Sequence, residues 1–228
     1  MRVAFIGGGG VGKSTLTYSF SKHLQKKGLN CNCVNLDPGC KHIKYEAAFD
    51  LRDYYSLDSI MTEFGLGPNG ALKKAYELTL ANKELRSKLH SVKGDFNLLD
   101  TAGSLEVFLF GGAKLLEEFA DAVCFVVEQD DVLGEREAIV LKAMNALQRL
   151  DYSLPTVTVV NKTDLNAKTR GAQMLLGGYK AADEHLTALL KELGSRESLV
   201  SVSAMDRRGF DELFDSLNEL NCACGDSS

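Results

Sequence analysis

The sequence predicts an α/β fold of three layers: a mostly or wholly parallel six-stranded sheet, helices on both faces, and a helical insertion between the second and third strands. Three observations lead there. Six short apolar runs punctuate the chain, at Val3 to Ile6, Cys31 to Leu36, Phe96 to Leu99, Ala122 to Val127, Val157 to Val160 and Leu199 to Val202. Each is continuous rather than alternating, as strands buried on both faces of a parallel sheet are. Between them lie segments with apolar residues at helical spacing, which parallel neighbours require because only a crossover can join them. The third observation is size: 228 residues suffice for one domain burying roughly 70% of its unfolded surface.

Composition narrows the class further. Hydrophobic residues at 45% and charged residues at 25% suit an ordinary globular domain, and a net charge of −5 argues against a general nucleic-acid or anionic-membrane binder. No apolar stretch is long enough to span a bilayer, and the first apolar run is too short for a secretory signal, so a cytoplasmic location is expected. With that location the six cysteines are expected as thiols. Cys31, Cys33 and Cys124 read as small buried hydrophobes, while Cys222 and Cys224 form a Cys-x-Cys in a polar tail, two ligands that do not complete a zinc site.

Taken in order, the first strand runs into "GGGGVGKS", Gly7 to Ser14, and then into a helical pattern whose Lys22, Lys26 and Lys27 form a solvated face. The motif fits G-x-x-x-x-G-K-[ST] in the strand-to-helix context it needs, and defines a P-loop NTPase fold. Its glycines let the backbone N–H groups of Gly9, Gly10, Val11 and Gly12 turn inward as an anion nest at a helix N-terminus. Lys13 then reaches β- and γ-phosphates, Ser14 offers a hydroxyl to Mg²⁺, and Thr15 meets the α-phosphate. The second strand ends in "VNLDPG", which puts Asp37 at the edge where ligands of open parallel sheets bind; an Asp-Pro-Gly turn and a metal or water ligand are both open readings.

About 41–94 is longer than a crossover needs and must hold inserted helices. Within it, turn chemistry makes Gly67 to Gly70, "GPNG", a rigid turn with Asn69 as N-cap of a single helix carrying Leu72, Ala75, Leu78, Leu85 and Leu89 on one face. The third strand ends in "FNLLDTAG", where Asp100 supplies the acid of a magnesium–phosphate site and Gly103 brings a backbone N–H to the γ-phosphate. After Gly134 a helix places Leu141, Met144, Leu147 and Leu150 on a core stripe, and the last helix does so with Phe210, Leu213, Leu217 and Leu220. A second insertion occupies about 166–193, so the domain covers 1–220 and a polar tail 221–228.

"VVNKTD" follows the fifth strand. A carboxylate accepts two hydrogen bonds at once, and guanine offers N1–H and N2–H side by side, so Asp164 suits guanine and not adenine. Lys162 would lie over the ring, and Asn161 would tie this loop to the phosphate loop. After the sixth strand, Ser203 and Ala204 complete the base site, with the Ala204 N–H available to the guanine O6. The ligands implied are GTP or GDP and Mg²⁺. A P-loop kinase or ATPase is disfavoured, because "NKTD" has no role in reading adenine.

"GGGGVGKST", "DTAG", "NKTD" and "SA", together with "LGPNGAL", resemble the successive motifs of the GPN-loop GTPases, across nearly the whole chain. The resemblance implies a SIMIBI-class fold, GTP hydrolysis, and a homodimer in which the loop of Gly67, Pro68 and Asn69 reaches the γ-phosphate of the partner's nucleotide. It also implies a client protein complex, RNA polymerase in eukaryotic members, and the short tail resembles the compact archaeal form. The family stretch Asp-Thr-Pro-Gly-Gln, with a Glu two positions later, reads Asp100-Thr101-Ala102-Gly103-Ser104 here, followed by Glu106. A Gln amide orients an attacking water, and the shorter Ser104 predicts slow turnover, with Lys13, Mg²⁺ and the partner's loop stabilising charge and positioning water, Asp37 near that water, and the loop of Asn69 carrying a larger share of the positioning. The competing reading is a weakly hydrolysing, nucleotide-gated scaffold or metallochaperone, for which Ser104 and the Cys-x-Cys speak.

Overall fold

The computed structural model describes residues 1–108, 112–129, 135–151, 154–165 and 198–225. Strand β1 (Arg2–Gly7) feeds α1 (Lys13–Lys26), and β2 (Cys31–Asn35) follows. Next come β3 (Ala47–Asp50), a 3₁₀ turn (Leu51–Asp53) and helices α2 (Leu57–Phe64), α3 (Pro68–Ala81) and α4 (Lys83–Ser91). Then follow β4 (Phe96–Asp100), the single turn α5 (Leu105–Val107), α6 (Ala113–Phe119), β5 (Ala122–Glu128) and α7 (Glu135–Asp151). Strands β6 (Thr156–Asn161) and β7 (Ser198–Ser201) and helix α8 (Phe210–Gly225) complete the described elements.

The strands stand in the order β3-β2-β4-β1-β5-β6-β7, and every neighbouring pair is parallel. The six expected strands are all present. The seventh, β3, pairs with β2 inside the insertion that the sequence assigned to helices. "AAFD" is too short and too weakly apolar to announce a strand, and the open edge of β2 supplies what its own composition lacks.

Alternation along each central strand divides the core in two. Val3 and Phe5 join a cluster with Leu16, Phe20 and Leu24 of α1 and Phe210, Leu213 and Leu217 of α8. Ala4 and Ile6 face the other way, onto Leu72 and Tyr76 of α3, Leu85 and Leu89 of α4 and Leu115, Leu116 and Phe119 of α6. Each fully buried Phe or Leu contributes about 1.5–3 kcal/mol of apolar transfer, so the two faces together hold the sheet rigid beneath its loops. Among the described residues no helix is long and apolar enough to cross a membrane.

Three local expectations change. "GPNG" is a helix start, not a turn: Gly67 is the N-cap with φ −74 and ψ 172, Pro68 occupies N1, and the left-handed residue is Gly65 (φ 62), which closes α2. Proline suits N1 because its missing N–H needs no partner there. Asn69 is therefore not an N-cap, and the one expected helix is two, since Asn82 caps α4 by accepting from Leu85 N–H at 3.1 Å. On α7, Leu147 is 54% exposed, whereas Asn145 is buried and donates to Thr158 Oγ1 on β6 at 2.8 Å. Steps of three fall about 60° short of a full turn each, so a stripe spaced strictly by threes winds off the core face.

The second insertion, about 166–193, and residues 226–228 lie outside the described residues, as do the side chains of Leu150, Cys222 and Cys224. Helix α8 runs to Gly225, so Asn221 to Gly225 continue the helix where the sequence suggested a tail.

Candidate nucleotide site

The site lies along the carboxyl ends of β1, β4, β6 and β7. From β1 the chain turns through Gly10 (φ 82) and Gly12 (φ 93) into α1, and these left-handed glycines aim successive N–H groups into one concavity. Lys13 is 6% exposed and its Nζ donates to the carbonyls of Gly7 at 3.0 Å and Gly8 at 2.8 Å. Burial lowers its pKa, while the charges of Asp100 and Asp37 work in the opposite direction. Ser14 and Thr15 stand half-buried in the first turn of α1.

Asp100 closes β4 and is 1% exposed. Burial raises its pKa, against the favourable effects of the Ser14 and Tyr45 hydroxyls and of Lys13. Its Oδ2 accepts from the Tyr45 hydroxyl at 2.7 Å, and its Oδ1 is buried without a hydrogen-bond partner. A buried carboxylate with one orphaned oxygen, influenced by the Ser14 hydroxyl at the start of α1, fits a hard cation that takes oxygen ligands. Among the described residues no group of three or more His, Cys, Asp or Glu could hold a metal ion.

Asp37 forms the turn: its Oδ1 accepts from Gly39 N–H at 2.8 Å, and its charge raises the pKa of both Lys13 and Asp100.

The loop after β4 is pinned from three sides. Thr101 Oγ1 donates to the Phe5 carbonyl at 2.7 Å, and Ala102 N–H donates to the Tyr76 hydroxyl of α3 at 3.4 Å. Gly103 packs on the phosphate loop so closely that a Cβ there would sit 2.9 Å from Gly9 Cα and 3.5 Å from Lys13 Nζ. Ser104 Oγ then donates to Asn69 Oδ1 at 3.2 Å, and Asn69 Nδ2 donates to Glu106 Oε2 at 2.5 Å. Both ends of the Asn69 amide are thus held by the loop of its own chain.

At the far end, Asn161 does the joining. Its Nδ2 donates to the Val11 carbonyl at 2.9 Å and its Oδ1 accepts from Ala204 N–H at 3.1 Å, so three loops meet on one amide. A Cβ on Gly12 would stand 2.6 Å from that Nδ2, which excludes any side chain there. Lys162 takes φ 62 and pairs through Nζ with Glu128 Oε2 at 2.6 Å. Asp164 Oδ1 accepts from Ser203 Oγ at 2.6 Å, and Ser203 Oγ also accepts from Asp206 N–H at 3.0 Å. Ser203 is fully buried and orients Asp164, and the Ala204 N–H donates to Asn161 Oδ1.

Tyr45, Tyr76 and Glu128 belong to the site yet carry no local motif. Each reaches it through a contact distant in the chain, Tyr45 to Asp100, Tyr76 to Ala102 and Glu128 to Lys162, and only Glu128, at the end of a strand, had a positional signal.

A glycine nest with a buried lysine, an acid on the adjacent strand, and a carboxylate loop tied back to the nest have the form of a P-loop nucleotide site. A family model described as "conserved hypothetical ATP binding protein" matches residues 5–223. The GPN-loop GTPase PAB0955 of Pyrococcus abyssi is 30% identical over 250 residues, covering 99% of each chain. The crystal structure of PAB0955, a GTPase in apo form, superposes with a TM-score of 0.76 at 27% identity over 98% of both chains. GPN-loop GTPase 3 of Saccharomyces cerevisiae is 34% identical over 72% of this chain, which spans 63% of that protein's length. The chain belongs to the GPN-loop GTPase family.

Proposed function

We propose that the chain binds GTP with Mg²⁺ and hydrolyses it to GDP and phosphate, as a homodimer whose nucleotide state switches the assembly of another protein complex in the cytoplasm. By family resemblance that client is related to RNA polymerase. The observation that carries the nucleotide reading is Asn161, whose amide bonds to Val11 and Ala204 set the phosphate nest and the Asp164 carboxylate at a fixed separation along one rim.

The residues divide the work. Lys13 exchanges its bonds to the Gly7 and Gly8 carbonyls for β- and γ-phosphate oxygens, and the N–H groups of Gly9 to Thr15 take up the remaining phosphate charge. Mg²⁺, held by Ser14, Asp100 and Asp37 directly or through water, would supply charge neutralisation across the β- and γ-phosphates. Water attacks the γ-phosphorus as the bond to the β–γ bridging oxygen breaks and GDP leaves. Gly103 N–H faces that phosphate, Asp37 lies near the water, and Gly67, Pro68 and Asn69 of the second protomer complete its positioning. Ser104 and Glu106 support that role by holding the Asn69 amide in one orientation. The description of the matching family model names ATP, whereas the acceptor pattern of Asp164 suits guanine.

Nucleotide competition decides between the two. The parent protein is expected to prefer GTP over ATP by about a hundredfold or more, because adenine leaves the carboxylate unpaired. Asp164→Asn should lose GTP and gain xanthosine triphosphate, whose C2 carbonyl accepts from the new amide. Equal binding of ATP and GTP by the parent would refute the guanine assignment.

A further inference from the structure

Tyr45 lies between β2 and β3, where the sequence offers no motif. Its side chain is 8% exposed, and its hydroxyl donates to Asp100 Oδ2 at 2.7 Å. The other carboxylate oxygen, Oδ1, is buried and has no hydrogen-bond partner. The two oxygens are therefore inequivalent: a phenol occupies one and the other has no partner, while Ser14 and Lys13 both act on the carboxylate. Rotation about the Asp100 Cβ–Cγ bond would exchange them, and the bond from Tyr45 opposes that rotation.

We propose that Tyr45 is a positioning residue that holds Asp100 with Oδ1 directed to the metal shell. The inference rests on the reading of Ser14 and Asp100 as the magnesium site.

Tyr45 is itself held from behind. Strand β3 begins at Ala47, opposite Cys33 of β2. At its other end Asp50 accepts from Asn35 Nδ2 at 2.9 Å and from Arg52 Nη2 at 2.6 Å. Arg52 Nη1 reaches back to the carbonyls of Cys40 and Lys41, both at 3.2 Å. The segment carrying Tyr45 is thus bracketed at both ends by bonds to β2 and its outgoing loop. A phenol so anchored costs little further ordering when it holds the carboxylate. This gives the short edge strand a purpose in the site: it fixes the residue that fixes the metal ligand.

The test separates metal affinity from nucleotide affinity in the full chain. Binding of a fluorescent N-methylanthraniloyl GDP is measured in excess chelator, and the bound complex is then titrated with Mg²⁺. For Tyr45→Phe, which removes one oxygen and keeps the ring, half-saturation should need roughly tenfold more Mg²⁺ or beyond, the usual cost of losing a bond to a ligating carboxylate, while GDP affinity in chelator stays within about twofold. Lys44→Ala, its neighbour in the chain, should titrate as the parent does. The same Mg²⁺ titration for Tyr45→Phe and parent overturns the inference. So does an equal loss of GDP affinity with and without metal, because that reports general damage to the loop. If GDP binding by the parent does not respond to Mg²⁺ at all, the magnesium reading fails and the inference falls with it.

Discussion

Asn161 is the joint on which the site depends, and removing it has a calculable consequence. The residue is 1% exposed, and the groups it serves lie in Val11 and Ala204, each 4% exposed. Asn161→Ala leaves the Val11 carbonyl and the Ala204 N–H without partners. One buried unsatisfied group costs about 1–3 kcal/mol, so the pair costs about 2–4 kcal/mol once water reaches part of the gap. For a chain of this size each kcal/mol lowers the melting temperature by about 2–4 °C, which gives a loss of roughly 5–15 °C. The assay is thermal unfolding without nucleotide, followed by calorimetric GDP binding. Asn161→Asp separates the two bonds: one oxygen still accepts from Ala204 N–H, and the other faces the Val11 carbonyl, acceptor against acceptor. Asp should therefore be at least as damaging as Ala. A melting temperature for Asn161→Ala within about 1 °C of the parent, or a milder effect of Asp than of Ala, would refute the reasoning.

Asn69→Ala should lower turnover on the order of tenfold or more with GTP affinity nearly unchanged, since a positioned group acting only in the transition state affects kcat; an unchanged rate would remove Asn69 from the mechanism. If that residue acts on the other protomer's nucleotide, turnover per protomer should fall on dilution below the dimer's dissociation constant. For pH, burial raises the Asp50 pKa, but bonds from Arg52 and Asn35 outweigh it and hold the carboxyl below its ordinary value. A depressed carboxylate contributes stability above the ordinary carboxylate range and loses it as pH falls through the folded-state pKa. The stability deficit of Arg52→Met, about 1–3 kcal/mol for a partly exposed charge-assisted pair, should therefore be full at pH 7 and narrow below about pH 4. Urea midpoints at the two pH values measure it, and a constant deficit would mean that packing, not charge, is what Arg52 contributes.

Much of the fold and of the site was legible because its signals are local. "GGGGVGKS", "DTAG" and "NKTD" each sit at the end of an apolar run, and a strand end in a parallel sheet points its residues at one crevice. The helix break at Asn82 was missed although its capping residue was in view, because the leucines on either side keep one face across the break. The rotation of α7 was missed because spacing by threes leaves the core face: Ile139, Leu141 and Ala143 pack on the core and Asn145 is buried beside Thr158, while Leu147 is exposed.

By itself the sequence determined the parallel architecture, the phosphate nest, and the acid and base-loop positions, since each follows from spacing over a few residues of chain. The tertiary structure alone decided that Tyr45 lies on Asp100, that Asn69 is gripped by Ser104 and Glu106, and that Ser203 serves Asp164. Those partners stand 55, 35, 37 and 39 residues apart. No short-range pattern encodes such contacts; they exist because packing two helical layers on a seven-stranded sheet brings the loop ends together.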